Sequence, residues 1–268
     1  MKHEICDRLI KLAPEGGGSG FGSETKPLAP DKCRKEASVY PALLLREPKT
    51  EEYLRKFIKT AKEVGAEGIH LDIANGTFKN DNGEIIEKTD LEQTLLVLSI
   101  AKSFGLKTGA HLMVACPEEY IDVLITYMVD SLCFHLEAIE KRKEMKLEEW
   151  EKEEMIKQIQ KRGVKAGIAI NPSTTALQFP HRIVNAVDFI LLMAVIPGKQ
   201  GSGFIDPSEK IKWFKHHWPN KEIRIDGAMN RENSALVRKA GADVIISGSF
   251  YGRSKNPEKT IKELKGEE

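Results

Sequence analysis

From Ala37 onward the chain alternates short, apolar, β-rich runs with longer stretches of helical patterning, and this alternation limits the fold more than any other feature. Repeated βα units make successive strands parallel, because the chain must cross over a helix before it re-enters the sheet. The strand runs fall at 39–45, 68–73, 107–112, 131–136, 165–170, 188–193, 222–225 and 244–247. Each is short and almost wholly apolar, as strands buried on both faces should be. Between them, helices are predicted over 50–64, 91–104, 117–127, 147–162, 207–216, 231–240 and 257–264, several opened by Thr, Asp, Asn or Pro. Eight strands with intervening helices in 268 residues fit an α/β fold, a closed parallel (β/α)₈ TIM barrel, better than a doubly wound sheet. The segment after Asn171 carries no clear pattern.

Residues 1–36 read as an N-terminal extension, a Gly/Pro-rich linker or surface segment ahead of a catalytic barrel over 37–268. The stretch 1–12 is too polar to supply the apolar core of a secretory signal. With 41 Lys plus Arg against 40 Asp plus Glu, no global positive field exists to draw in nucleic acid or acidic membrane, so neither is an expected partner. Cys6, Cys33, Cys116 and Cys133 form no C-x-x-C pair, and reduced thiols in a cytoplasmic protein are the simple expectation. The dense Glu/Lys run over 139–154 reads as part of a solvated helix.

In a barrel, chemistry sits where the strands end at the C-terminal rim. The second run reads Gly68-Ile69-His70-Leu71-Asp72, and alternation along a strand puts His70 and Asp72 on one face, opposite Leu71. His111 ends the third strand and Asp226 the seventh, on the same rim. Two imidazoles and two carboxylates make a first shell suited to Zn, Fe, Mn or Co. Each His–carboxylate pair alone is more often a structural hydrogen bond, and the convergence of four is what favours a metal. Asp226-Gly227-Ala228 and Ser247-Gly248-Ser249 follow the last two strands, where phosphate-binding barrels place their anion loops; an ordinary turn explains either one by itself.

These residues resemble the ribulose-phosphate 3-epimerase family, through His70-Leu71-Asp72-Ile73, His111-Leu112-Met113-Val114, Asn171-Pro172-Ser173-Thr174, Met193-Ala194-Val195-Ile196-Pro197-Gly198 and Ile225-Asp226-Gly227, in that order. The resemblance implies an isomerase that moves one proton at C3 of a ketose phosphate, with D-ribulose 5-phosphate and D-xylulose 5-phosphate as its pair. It implies one divalent metal ion held by His70, Asp72, His111 and Asp226. Asp72 and Asp226 would also exchange protons with opposite faces of the sugar. His111, Met113 and Met193 would line the substrate, although Met113 and Met193 also suit plain core packing. Phosphate contacts would come from Gly198, Lys199, Gln200, Gly201, Gly227, Ala228, Gly248 and Ser249. A homo-oligomer is also implied.

The chain departs from the family pattern in substrate contacts and keeps the four metal residues. Ala74-Asn75-Gly76 stands where the family has Met-Asp-Gly, and Ala42 replaces a serine after Pro41. The sixth loop reads Pro197-Gly198-Lys199-Gln200-Gly201-Ser202-Gly203, and Ala228 replaces a second glycine. Lys199 reads either as an anion partner or as a solvated surface lysine. The short side chain at Ala74 is expected to leave room for a longer ketose, which makes a related epimerase, acting for instance on allulose 6-phosphate, the nearest alternative. A non-catalytic sugar-phosphate-binding barrel is the more distant one.

Overall fold

The structure, a computed structural model, describes residues 36–140, 149–198 and 203–267. Eight parallel strands close into a barrel in chain order: β1 (Ser38–Leu44), β2 (Gly68–Ala74), β3 (Lys107–Met113), β4 (Ser131–His135), β5 (Lys165–Ile170), β6 (Phe189–Met193), β7 (Glu222–Asp226) and β8 (Val244–Ser247). The ring is completed by pairing of β1 with β8, in register from Ser38 opposite Val244 to Pro41 opposite Ser247. The larger helices are α1 (Glu51–Glu63), α2 (Leu91–Ser103), α3 (Glu118–Thr126), α5 (Glu149–Lys161), α7 (Ser208–His217), α8 (Arg231–Ala240) and α10 (Pro257–Lys265). Each lies within two residues of its predicted bounds at either end. The Thr, Asp and Asn signals work as caps: Thr50, Asp90, Asn230 and Asn256 each accept a backbone N–H from the first turn of the helix that follows.

Four shorter elements lie outside the predicted pattern: α4 (Leu136–Glu140), a 3₁₀ turn (Ala176–Gln178), α6 (His181–Ala186) and α9 (Ser249–Gly252). None is long enough to show a 3.6-residue period, so no periodic signal marks them. Of the charged run 139–154, the described part belongs to α4, which reaches Glu140, and to α5, which starts at Glu149. Positions 141–148 lie outside the described residues, as do the N-terminal segment up to position 35 and Lys199, Gln200, Gly201 and Ser202 of the sixth loop.

Strand alternation divides the interior into two cores. Outward side chains such as Val39, Ile69, Leu71, Leu112, Phe134, Ile168, Ile190 and Ile225 pack under the helices in the main cluster. Inward ones, Tyr40, Cys133, Ala169, Phe189, Leu191, Met193, Val244 and Ile246, fill the barrel itself. At the floor, the Phe189 ring lies against the backbone of Gly167, and the Arg224 guanidinium sits 3.6 Å above its centroid. Arg224 also donates to Ser131 Oγ at 2.8 Å and to Glu222 Oε1 at 2.7 Å, so its buried charge is paired.

A carboxylate staple repeats around the N-terminal rim. Glu67, Asp130, Asp188 and Asp243 immediately precede the even-numbered strands, and each accepts the N–H of Val39, Thr108, Ala166 or Ile223 near the start of the preceding odd strand, at 2.7–2.8 Å. Lys265, Lys102, Gln160 and Lys215 reach the same carboxylates from the helices outside. Backbone donors that have no ladder partner at the strand starts are thereby satisfied by charged acceptors.

A β-carbon at Gly167 would lie 2.3 Å from the Phe189 ring. Gly167→Ala therefore must displace the ring and the guanidinium above it, and thermal unfolding should show a loss of about 1–3 kcal/mol. A melting temperature equal to wild type would mean that the floor is not tightly packed.

Candidate metal centre and active site

His70 and Asp72 leave β2 on its inward face, and β3 lies beside β2 with Asp72 opposite His111. Asp226 ends β7 opposite Met193 of β6. Their ligand atoms converge at the C-terminal mouth, all within 4.8 Å of one another. His111 Nδ1 is 3.0 Å from Asp72 Oδ1 and 3.9 Å from Asp226 Oδ2; His70 Nε2 is 3.5 Å and 4.0 Å from the same two atoms. The four residues named from the sequence are thus brought together.

The arrangement fits a cation. Ligand atoms held roughly 2.0–2.2 Å from one tetrahedral ion lie about 3.3–3.6 Å apart, close to the separations here. Both ring nitrogens of His70 are buried without a hydrogen-bond partner, a state that costs about 1–3 kcal/mol for an unsatisfied buried polar group. An ion between the carboxylates and the imidazoles would take up the lone pair of Nε2, the nitrogen that faces Asp72 and Asp226. The carboxylates are also electrostatically unequal. Burial, together with the charge of Asp72, pushes the Asp226 carboxyl up to about 6. Burial acts on Asp72 in the same direction, and a hydrogen bond or positive charge presented by the imidazoles of His111 and His70 acts in the opposite one.

The remaining predicted residues that the structure describes lie at the ends of strands and in the loops of the same rim. Met193 is buried in the barrel interior, whereas Met113 joins Ala74, Phe78, Ile86 and Ala138 in a small separate cluster. Ala74 is consequently covered, 3% exposed, and the room expected beside it is filled by side chains of the loop that follows β2. That loop folds back through a Lys79–Ile85 bridge and reaches the sixth loop, where Asn80 Nδ2 donates to the Pro197 carbonyl at 3.1 Å. Arg46, beyond β1, donates to the Gly198 carbonyl at 2.8 Å and pairs with Glu87 at 3.1 Å. A β-carbon at Gly198 would lie 2.8 Å from Ile86. The loops after β1, β2 and β6 are therefore locked together.

Gly227 adopts φ 108° against Val195, and Ala228 adopts φ 52°, so alanine takes the left-handed conformation that a second glycine would accept without strain. Gly248 precedes α9, with Ser249 as its first residue, and faces Ala42 of β1 across the rim.

Two residues escaped the sequence reading. His135 and Glu137 stand behind His111: His111 Nε2 lies 2.8 Å from His135 Nε2, and His135 Nδ1 lies 3.2 Å from Glu137 Oε2. Glu137 Oε1 accepts the Asn171 N–H at 2.9 Å and the Thr174 hydroxyl. The signal was present, since His135-Leu136-Glu137 repeats the His-x-carboxylate spacing of His70-Leu71-Asp72 at another strand end. Burial keeps the His135 imidazole below its ordinary value against the opposing pull of Glu137. Burial would raise Glu137, but His135, Thr174 and the Asn171 amide together hold it at about 2.

The Ribulose-phosphate 3 epimerase family model matches residues 39–251. The chain is 31% identical to the ribulose-phosphate 3-epimerase of Chlamydia trachomatis over 219 residues, covering 78% of this chain and 86% of that one. It is 32% identical to the Bacillus subtilis ribulose-phosphate 3-epimerase over 216 residues, covering 78% and 90%. Among solved structures, a Mycobacterium tuberculosis tryptophan synthase superposes with a TM-score of 0.61 at 12% identity over 86% of this chain and 92% of the other, a likeness of fold alone. No helix among the described residues is long and apolar enough to cross a membrane.

A glutamate that titrates at 4.5 when unfolded and at about 2 in the fold contributes stability that is complete above the first value and is lost as pH falls through the second. The difference is worth roughly 3 kcal/mol at most. Urea unfolding of Glu137→Gln should show a weaker protein than wild type at neutral pH, with the gap closing on acidification; a gap that ignores pH would show that ionised Glu137 contributes nothing.

Proposed function

This chain belongs to the ribulose-phosphate 3-epimerase family, and from that premise we propose that it interconverts D-ribulose 5-phosphate and D-xylulose 5-phosphate in the mouth of its barrel. The observation that carries the reading is the convergence of two imidazoles and two carboxylates within 4.8 Å at the ends of β2, β3 and β7. His70, Asp72, His111 and Asp226 would hold one divalent ion, of Zn, Fe, Mn or Co. When bound, it supplies Lewis acidity beside the ketone, which favours the negative charge that develops as the C3 proton leaves.

Asp72 takes the proton from C3 of one epimer, and Asp226 returns a proton to the opposite face; in the reverse direction their roles exchange. The raised proton affinity of Asp226 supports this division, with Asp72 as the base and Asp226 as the carboxyl better able to carry a proton. Met193, opposite Asp226 in the register, and Met113 give the reacting carbons apolar walls that keep water from competing for the proton. The backbone N–H groups of the Gly198, Gly227-Ala228 and Gly248-Ser249 loops would hold the phosphate, and Lys199, Gln200 and Gly201 extend that set. The covered position of Ala74 supports a pentulose over a longer ketose.

A homo-oligomer in the cytoplasm is part of the same reading. Exposed Ile85, Leu177 and Ile205 lie in the connections that follow β2, β5 and β6 and offer apolar surface to a second copy, and Cys116 and Cys133 are free thiols.

Wash-in of deuterium at C3 of D-ribulose 5-phosphate, followed by proton NMR, tests the assignment. Asp72→Asn and Asp226→Asn should each slow exchange by roughly 10²–10⁴-fold while circular dichroism reports an intact barrel. Unchanged exchange in both variants would end the two-carboxylate mechanism. Chelation followed by removal of the chelator should abolish exchange until a divalent ion is returned. D-Allulose 6-phosphate should exchange at least tenfold more slowly than the pentulose; the opposite order would reassign the substrate.

A further inference from the structure

We propose that His135 and Glu137 are positioning residues that set the tautomer of His111, leaving its Nδ1 lone pair aimed at Asp72 and Asp226, where the ion is held. The inference rests on the reading of the four-residue cluster as a metal site and assigns a task to two residues outside it.

The polarity of the chain starts at Glu137. A backbone amide and a hydroxyl already donate to its Oε1, from Asn171 and Thr174, so the carboxylate acts as an acceptor and its Oε2 takes the hydrogen on His135 Nδ1. A neutral His135 then has only a lone pair on Nε2. That atom lies 2.8 Å from His111 Nε2, so His111 is the donor and carries its hydrogen there. Its Nδ1 is left bare, 3.0 Å from Asp72 Oδ1. A lone pair facing a carboxylate oxygen at that distance is repulsive until a cation enters between them, and the site is thereby pre-polarised for one.

The chain is held rigidly. The carbonyls of Asn171 and Pro172 accept from Lys210 Nζ at 3.1 and 2.6 Å, which fixes the backbone that feeds Glu137. Phe78 packs on the His135 ring at 4.6 Å between centroids, and His135 on His111 at 4.9 Å. His111 and His135 are fully buried, so water does not compete for the bond between them.

Partners of metal-bound imidazoles are typically worth 10–100-fold in metal affinity. Zn²⁺ affinity of the full chain, measured by chelator competition, should fall by that factor in His135→Leu, which removes the acceptor. It should stay within about threefold of wild type in His135→Gln, whose amide oxygen can reach the same position. The tautomers are read separately from long-range ¹⁵N–¹H couplings of the metal-free wild-type chain: hydrogen on Nε2 of His111 and on Nδ1 of His135 is expected, and hydrogen on Nδ1 of His111 overturns the proposal whether or not the variants fold. Equal affinity in His135→Leu and wild type overturns it, and so does equal loss in the Leu and Gln variants, which would mean that only ring packing matters. A wild-type chain that takes up no divalent ion sinks the metal reading itself, whereas uptake that is indifferent to His135 sinks this inference alone.

Discussion

Closure of eight parallel strands into one ring is the constraint on which everything else in this molecule rests. With the ring closed, every second side chain on every strand points at a common axis, and the last inward residue of each strand meets the others at the mouth. Asp72 and Asp226 are far apart in the chain and belong to strands that do not touch, yet the ring sets both beside His70 and His111. Below them Arg224, Phe189 and Gly167 plug the floor, and the staples of Glu67, Asp130, Asp188 and Asp243 tie the strand starts in pairs. A rigid lower barrel is what permits four titratable groups to be crowded into an almost dry mouth.

That crowding is costly without a cation, and the protein spreads the cost over several layers. Burial and the neighbouring Asp72 raise the proton affinity of Asp226, which eases the repulsion between the two carboxylates. Behind His111, the buried path through His135 ends on a carboxylate that three donors hold ionised. In front, the loop after β2 covers Ala74 with Phe78 and Ile86 and clamps the sixth loop through Asn80, while Arg46 reaches the same loop from β1. Pocket shape and the four-residue cluster therefore share supports, since Phe78 both covers Ala74 and packs on His135.

Much of this was legible before any coordinates. The strands appear as apolar runs because a barrel strand is buried on both faces, and helix starts appear because Thr50, Asp90, Asn230 and Asn256 satisfy backbone donors locally. His70 and Asp72 stand out as polar residues at a strand end. His135 and Glu137 have the same spacing but were hidden, because Glu137 stands just ahead of the charged run 139–154 that reads as solvated surface, and nothing in the pattern shows that this carboxylate turns inward. Short elements such as α6 and α9 carry too few residues for a period to register. Ala74 misled for a related reason: a small residue signals space only if nothing distant fills it, and Phe78 and Ile86 return to that spot through a turn with no periodic signature.

By itself, the sequence determined the architecture, the family and the four polar residues that meet at the mouth, because each rests on local rules: alternation within a strand, caps within a helix turn, and motifs a few residues long. The tertiary structure alone decided what depends on long-range approach. It showed that burial beside Asp72 raises the proton affinity of Asp226, that a second imidazole and a glutamate stand in line behind His111, and that the position beside Ala74 is closed. Those properties arise from burial and from contacts between strands and loops widely separated in the chain, and their strength depends on distances of a few ångströms that no linear pattern records.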